Sequence, residues 1–488
     1  MRILSKGDDL QSAIDDAKPG EVIALQPGAV FKGPLRLRNK SGNDWITIRT
    51  NAADAAFPPP GTRVNPSDAR LMPVIESDDD VAITTAAAAH HYRFIGIEVR
   101  PRVSTFIYNL ISLGDAAQSV DALPHHLVFE RCYVHGDPQV GGRRGIALNS
   151  SHTAVIDSYV ADFKEDGSDS QALAGWNGTG PFAIVNNYLE GAGENVIFGG
   201  GDPSIKNLVP SDIVIQGNHF TKPLAWKKAS GASAGPPWWT IKNLFELKNA
   251  RRVLVEHNLF ENNWPDAQNG YAILFTPRNQ DGGAPWSMVR DVTFRNNIIR
   301  HVSSGVNMQG TDNLHVSQRT KRIFLGNNVF DDVSSIHWGG IGNLFQMTDG
   351  AEDVTVDHNT AFQTGSVLVA GAEPHPRFTF TNNLVANNEY GVAGDSNYGN
   401  PNGALRTYFP SAVFSNNVLQ GGQASDYPSG NFFPGSMSDV GFVNYAGGDY
   451  RLRTDSAYKD AGTDGKDIGA NIDSIDPPAL RHRAVGTP

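Results

Sequence analysis

Between Asn243 and Phe260 the apolar residues fall into two short alternating bursts separated by corners. Leu244 to Lys248 reads as one strand, and because successive strand side chains point to opposite faces, Phe245 and Leu247 go inward while Glu246 and Lys248 stand outward together. Val253 to His257 reads as a second strand, and Asn258 marks a corner before Leu259 and Phe260.

The same pattern recurs along the chain. Ile184-Val185-Asn186-Asn187-Tyr188, Phe294-Arg295-Asn296-Asn297-Ile298, Phe324 to Val329, Phe380 to Leu384 and Phe414 to Val418 align with Val255 to Phe260. An asparagine holds one place in this series at positions 187, 218, 258, 297, 328, 359, 383 and 417. The spacing lies in the range of solenoids and propellers, but a four-stranded blade would need tight Asn-Gly or Asp-Gly hairpins that do not recur. Three short strands and one polar corner per repeat predict stacked coils, in which each asparagine bonds the asparagine of the next coil, since its amide both donates and accepts. The expected fold is therefore all-β, a right-handed parallel β-helix of about ten coils. Leu10, Ile14 and Ala17 recur at helical spacing until Lys18-Pro19-Gly20, which predicts a short N-terminal capping helix. The expected organisation is one domain over residues 1–488, with a cap over 1–30, regular coils over 90–425 and a C-terminal cap or tail over 426–488.

Composition agrees with short strands and many turns: 51 Gly, 29 Pro and 19% charged residues in 488. A net charge of −11 argues against nucleic acid as partner. No apolar run is long enough to span a bilayer, so no membrane partner is expected either. The single cysteine, Cys132, sits within an apolar strand pattern and reads as a small buried hydrophobe.

The asparagine corner, the start Leu10 to Ile23 and the ending Gly447 to Leu452 with Asp460-Ala461-Gly462 resemble the pectate-lyase-like β-helix superfamily. That superfamily holds polysaccharide lyases, glycoside hydrolases, epimerases and inert adhesins, so the resemblance implies the fold and leaves the activity to the site. A secreted or periplasmic location is expected, with a cytoplasmic one as the alternative, since the sequence opens Met1-Arg2-Ile3-Leu4 without the apolar segment of a signal peptide.

In such folds the loops entering the first strand of each coil form the binding groove, and the long ones here are His135 to Arg144, Ala161 to Ser170, Thr221 to Lys242 and Glu261 to Gly270. The outward first-strand positions are read as Ala147 and Asn149, Leu173 and Gly175, Ile197 and Gly199, Glu246 and Lys248, Leu274 and Thr276. Only one coil places two full charges there, and that exposed pair is the leading site candidate. Around it the loops supply Trp176, Asn177, Glu194, Asn195, Asp202, Trp238, Trp239 and Lys242. Aromatic faces beside polar groups suit sugar rings, so the expected partner is a polysaccharide or oligosaccharide.

Two chemistries fit these residues. β-Elimination from a uronic acid needs a base for the proton beside the carboxylate and a cation that neutralises that carboxylate. Lys248 is then the base, Arg278 the neutraliser and Glu246 the orienter, with Arg144 and Asp169 in reach of an acidic substrate. This resembles the Lys/Arg pair of β-helix lyases acting on alginate or chondroitin-type chains, and departs from it in having one residue between Glu246 and Lys248. Calcium is the cofactor this scheme would take, on Glu246, Glu194 and Asp202. The alternative is hydrolysis between Glu246 and Glu194, Asp169 or Asp202, which requires two carboxyls facing across the glycosidic oxygen. The Asp-Asp and Gly-His-Gly pattern of β-helix polygalacturonases is missing from the sequence. A third reading is a carbohydrate-binding β-helix with the aromatic groove and neither constellation.

Overall fold

A computed structural model describes residues 1–78, 80–114, 116–228 and 238–475. Among the described residues three kinds of short parallel strand alternate, 14 of the first, 12 of the second and 13 of the third. The strands of each kind pair parallel from one coil to the next, as in His125–Glu130 against Ser151–Ile156, and Tyr159–Phe163 against Tyr188–Gly191. This is the expected parallel β-helix, with 12 to 14 strands in each sheet and so more coils than the ten expected. The repeat also runs through Val22–Leu25, Val30–Lys32 and Leu35–Leu37, where the sequence pattern is faint because no asparagine marks the corner.

By backbone contacts the chain forms two compact units, one of Met1–Val253 with Arg278–Met288, the other of Leu254–Pro277 with Val289–Pro488. In the first, helix Leu10–Asp16 buries Leu10, Ala13 and Ile14, and Asp9 caps it by accepting from the Ser12 N–H at 3.0 Å. Phe94, Phe129, Phe182, Phe198 and Phe245 fill the interior of its coils. In the second unit, Phe260, Phe294, Phe330 and Phe380 do the same, and the segment around Val440, Phe442, Tyr458 and Ile468 packs on Leu384 and Val418. Among the described residues no helix is long and apolar enough to cross a membrane.

The asparagine ladder exists, with each amide working twice. In the second unit the Asn297 Oδ1 accepts from both the backbone N–H and the Nδ2 of Asn258, at 2.9 and 3.0 Å. Asn328, Asn359, Asn383 and Asn417 repeat this, ending on Asn431, which the repeat did not reveal. In the first unit Asn218 serves Asn187, Asn187 serves Ser158, and the Ser158 hydroxyl serves Cys132. Cys132 therefore stands at the ladder position, where burial pushes its thiol up to about 12. The residue before each rung turns the corner in the left-handed region, among them Asp157, Asn186, His257, Asn296, Asn327 and His358 at φ between 50° and 56°. Asparagine tolerates that conformation better than most residues, which accounts for the repeated Asn-Asn pairs.

Candidate active site

The groove-side sheet of the first unit includes Asn109–Leu113, Arg144–Leu148, Gln171–Gly175, Glu194–Phe198 and Asn243–Leu247. Its register places Arg144, Gln171, Glu194 and Asn243 in one row and Ala147, Ala174, Ile197 and Glu246 in another. Leu173 therefore lies in the inward row with Ile146 and Val196, not outward as the sequence suggested. A shift of one residue reverses every side chain of a strand, and an apolar run such as Ala172 to Gly175 contains no polar residue that would fix its phase. Asn149 is likewise no groove residue, since its Oδ1 accepts from the N–H groups of Trp176 and Asn177 within a corner.

The first row is a continuous polar chain. The Arg144 Nε donates to Gln171 Oε1 at 2.9 Å, and Gln171 Nε2 donates to Glu194 Oε2 at 2.8 Å. Lys242 bridges the Glu194 carboxylate at 3.3 Å and that of Asp169 at 2.7 Å. One coil further, Asn243 Nδ2 donates to Glu246 at 3.1 Å, and Lys248 Nζ stands 3.6 Å from the other Glu246 oxygen. The pair expected to be exposed is thus largely enclosed: the Glu246 side chain is 1% exposed and that of Lys248 15%. Gly199 makes room for it, because a Cβ there would come within 2.8 Å of Lys248 Cβ and 2.6 Å of the Asn249 nitrogen. The backbone N–H of Arg278 donates to the carbonyl of Lys248 at 2.9 Å, so the two residues are neighbours through their backbones.

Aromatic rings flank the cations. The Arg144 guanidinium lies 5.2 Å from the ring centres of both Trp176 and Tyr108, and Arg143 lies 4.7 Å over Tyr108 and donates to its hydroxyl. These residues open into a groove of about 500 Å³ whose lining includes Arg143, Arg144, Lys242 and Lys248, with Asp169 as its carboxylate and Trp176 as its tryptophan. Tyr108, Arg143 and Gln171 were missed in the sequence, since nothing local distinguishes them from surface residues.

Several expected ligand residues serve the scaffold. Asn177 donates to the Ala117 carbonyl and accepts from the Ile205 N–H, and it is buried. Asn195 donates to the carbonyls of Leu189 and Thr221 and accepts from Lys222, which is equally buried. Asp202 accepts from the N–H groups of Asp281 and Gly283 and so pins the 278–288 segment. Trp239 lies 5.3 Å from the Lys164 ammonium, and Trp238 lies at the same distance from that of Lys228; neither lines the groove. Among the described residues Glu246, Glu194 and Asp202 do not form a group of mutually close ligand atoms.

Burial pushes the Glu194 carboxyl up, with Lys242 working against that shift and Asp169 and Glu246 with it. Burial acts against the Lys242 ammonium, but Glu194 and then Asp169 outweigh it and raise that group above an ordinary lysine. Both shifts hold protons on the cluster, as three carboxylates around two ammonium groups require. Behind them Lys222 is fully buried and donates to the carbonyls of Gly191, Ala192 and Gly193 and to Asn195, while burial pushes it down to about 7.

No family model and no curated protein matches the sequence. Solved structures do resemble the fold. A mannuronic acid specific polysaccharide family 6 lyase from human gut microbiota superposes with a TM-score of 0.52 at 11% identity, over 86% of this chain and 87% of the other. A PL6 family alginate lyase gives 0.51 at 13%, over 96% and 58%. The catalytic unit of a GH87 α-1,3-glucanase from Streptomyces thermodiastaticus gives 0.50 at 14%, over 85% and 66%. This is the right-handed parallel β-helix fold. The chain thus spans less than two thirds of the alginate lyase and of the glucanase unit, and identity at this level is a likeness of fold alone.

Proposed function

We propose that the chain cleaves an acidic polysaccharide by β-elimination in the groove between Arg144 and Lys248. The observation that carries this reading is the set of cations at the groove surface: Arg143, Arg144, Lys242 and Lys248 line it with Asp169, while their other carboxylate partners, Glu165, Glu194 and Glu246, stand outside that lining. Such a concentration of cations favours a polyanionic ligand, and Trp176 offers an apolar plane to a sugar ring. Lys248 takes the proton beside a uronate carboxylate. Arg144 and Lys242, with Arg278 beside Lys248, stabilise the charge that moves onto that carboxylate, and the bond to the leaving oxygen then breaks, that oxygen taking a proton from water, to leave an unsaturated sugar. Glu246 acts through Lys248 as a positioning residue. The likeness to two polysaccharide lyases supports the same choice at the level of fold.

Hydrolysis is less well served. Glu194 and Glu246 are both buried and do not line the groove, being bonded beneath its cations, which among the described residues leaves Asp169 as the carboxylate of its lining where two are required. Incubating the protein with alginate, pectate, chondroitin and neutral glucans, and following ultraviolet absorbance of the unsaturated product together with reducing ends, separates the readings. Absorbance with acidic chains supports elimination; new reducing ends without absorbance would transfer the reading to hydrolysis. Activity that disappears in chelator and returns with calcium would add a metal to the scheme.

A further inference from the structure

The first unit carries a second polar constellation on a different sheet. Strands His90–Ile95, His125–Glu130 and Ser151–Ile156 pair in parallel, with His125 opposite both His90 and Ser151. His91, His126 and His152 follow in the left-handed region, at φ 59°, 55° and 48°. A left-handed residue breaks the alternation of a strand, so that consecutive side chains turn toward each other. In this way His90 Nδ1 comes within 2.7 Å of His91 Nδ1, and His125 Nδ1 within 2.7 Å of His126 Nδ1. The rings also stack from coil to coil, His90 on His125 at 4.8 Å and His91 on His126 at 4.4 Å, nearly parallel in both cases.

Stacking alone would account for rings in columns. It does not require ring nitrogens to converge, yet ligand atoms of His91, His125 and His126 all lie within 4.8 Å of one another. Metal–imidazole bonds of about 2.0–2.1 Å at tetrahedral or square-planar angles place neighbouring nitrogens roughly 3 Å apart. The Nδ1 atoms of His125 and His126 already stand 2.7 Å apart. All three histidines are partly exposed, which leaves a path for an ion.

We propose that His91, His125 and His126 form a binding site for a late first-row divalent cation, copper(II) or zinc(II). His90, beside His91, orients that ring from outside the ligand set, as partners of ligating histidines commonly do. An all-imidazole set selects such ions over magnesium or calcium, which prefer oxygen. Bound there, the ion ties strand His90–Ile95 to strand His125–Glu130. The site is independent of the groove chemistry.

The test uses the full chain without an affinity tag, titrated calorimetrically with Cu²⁺, Zn²⁺ and, for contrast, Ca²⁺. One equivalent of Cu²⁺ or Zn²⁺ is expected, with no heat from Ca²⁺, and the electron paramagnetic resonance spectrum of the Cu²⁺ form should show coupling to several imidazole nitrogens. H125Q/H126Q should weaken binding at least 100-fold, whereas H337Q, which alters an exposed histidine paired with Asp332, should leave it unchanged. No stoichiometric binding, a copper spectrum without imidazole coupling, or affinity that survives in H125Q/H126Q would overturn the proposal. Because the spectrum is read on the unaltered protein, a failure of the double variant to fold does not remove the test.

Discussion

Lys248 shows how far a single residue can be read from its neighbours in sequence. Alternation along Leu244 to Lys248 put it outward beside Glu246, and the structure agrees on direction, yet the pair is enclosed by the coil before it. Enclosure is a property of the loops stacked around a strand, and strand alternation carries no information about them. The elimination scheme predicts that Lys248→Met lowers formation of unsaturated product by about 100-fold or more, with the thermal midpoint within a few degrees of the parent, measured by initial rates and by calorimetry. Glu190 makes a separate prediction. Burial, then Asp162, pushes its carboxyl up to about 7, so the folded chain binds a proton more tightly than the unfolded one. That contribution to stability is fully present below the ordinary pKa of 4.5 and is lost as pH rises through about 7. Urea unfolding of the parent should therefore lose up to about 1.4 kcal/mol per pH unit across this window relative to Glu190→Gln.

The element that repeats is the corner, and it was legible because one residue type performs one task many times. An asparagine at a rung bonds the rung before it and a backbone carbonyl within its own stack, as Asn328 does with Asn297, Asn359 and the Phe294 carbonyl. Asn328→Ala should cost on the order of 3 kcal/mol, since it leaves buried groups unsatisfied on both sides, whereas Asn431→Ala, at the end of the ladder, should cost less; chemical denaturation of the two variants compares them. Cys132 and Ser158 align with the same place and fill it with other chemistry, the Ser158 hydroxyl accepting from the Cys132 N–H. The thiol of Cys132, buried and pushed up to about 12, should stay unreactive toward a thiol reagent until the chain unfolds. The histidine pairs 90–91 and 125–126 also went unremarked, because their significance lies in the coil-to-coil register that places His125 opposite His90.

At the scale of the molecule the net charge is negative while four cations line one groove, and the two together set an expectation for ligand binding. Affinity for an acidic polysaccharide should fall about tenfold or more between low and high salt while any affinity for a neutral glucan stays level, as direct binding assays would show, because screening weakens only the charged term. The net charge alone pointed away from such a ligand's field; the coils gather Arg143, Arg144, Lys242 and Lys248, up to 105 positions apart in sequence, onto one face. The sequence by itself determined the coil, through strand alternation, the left-handed corner and the asparagine that bonds its own image, all of which are local and periodic. The tertiary structure alone decided which strands of that periodic array present which face, which loop residues reach the groove and which, like Asn177, Asn195 and Asp202, are consumed in holding the backbone. Those outcomes depend on register between coils, and register is a relation between segments that no single segment contains.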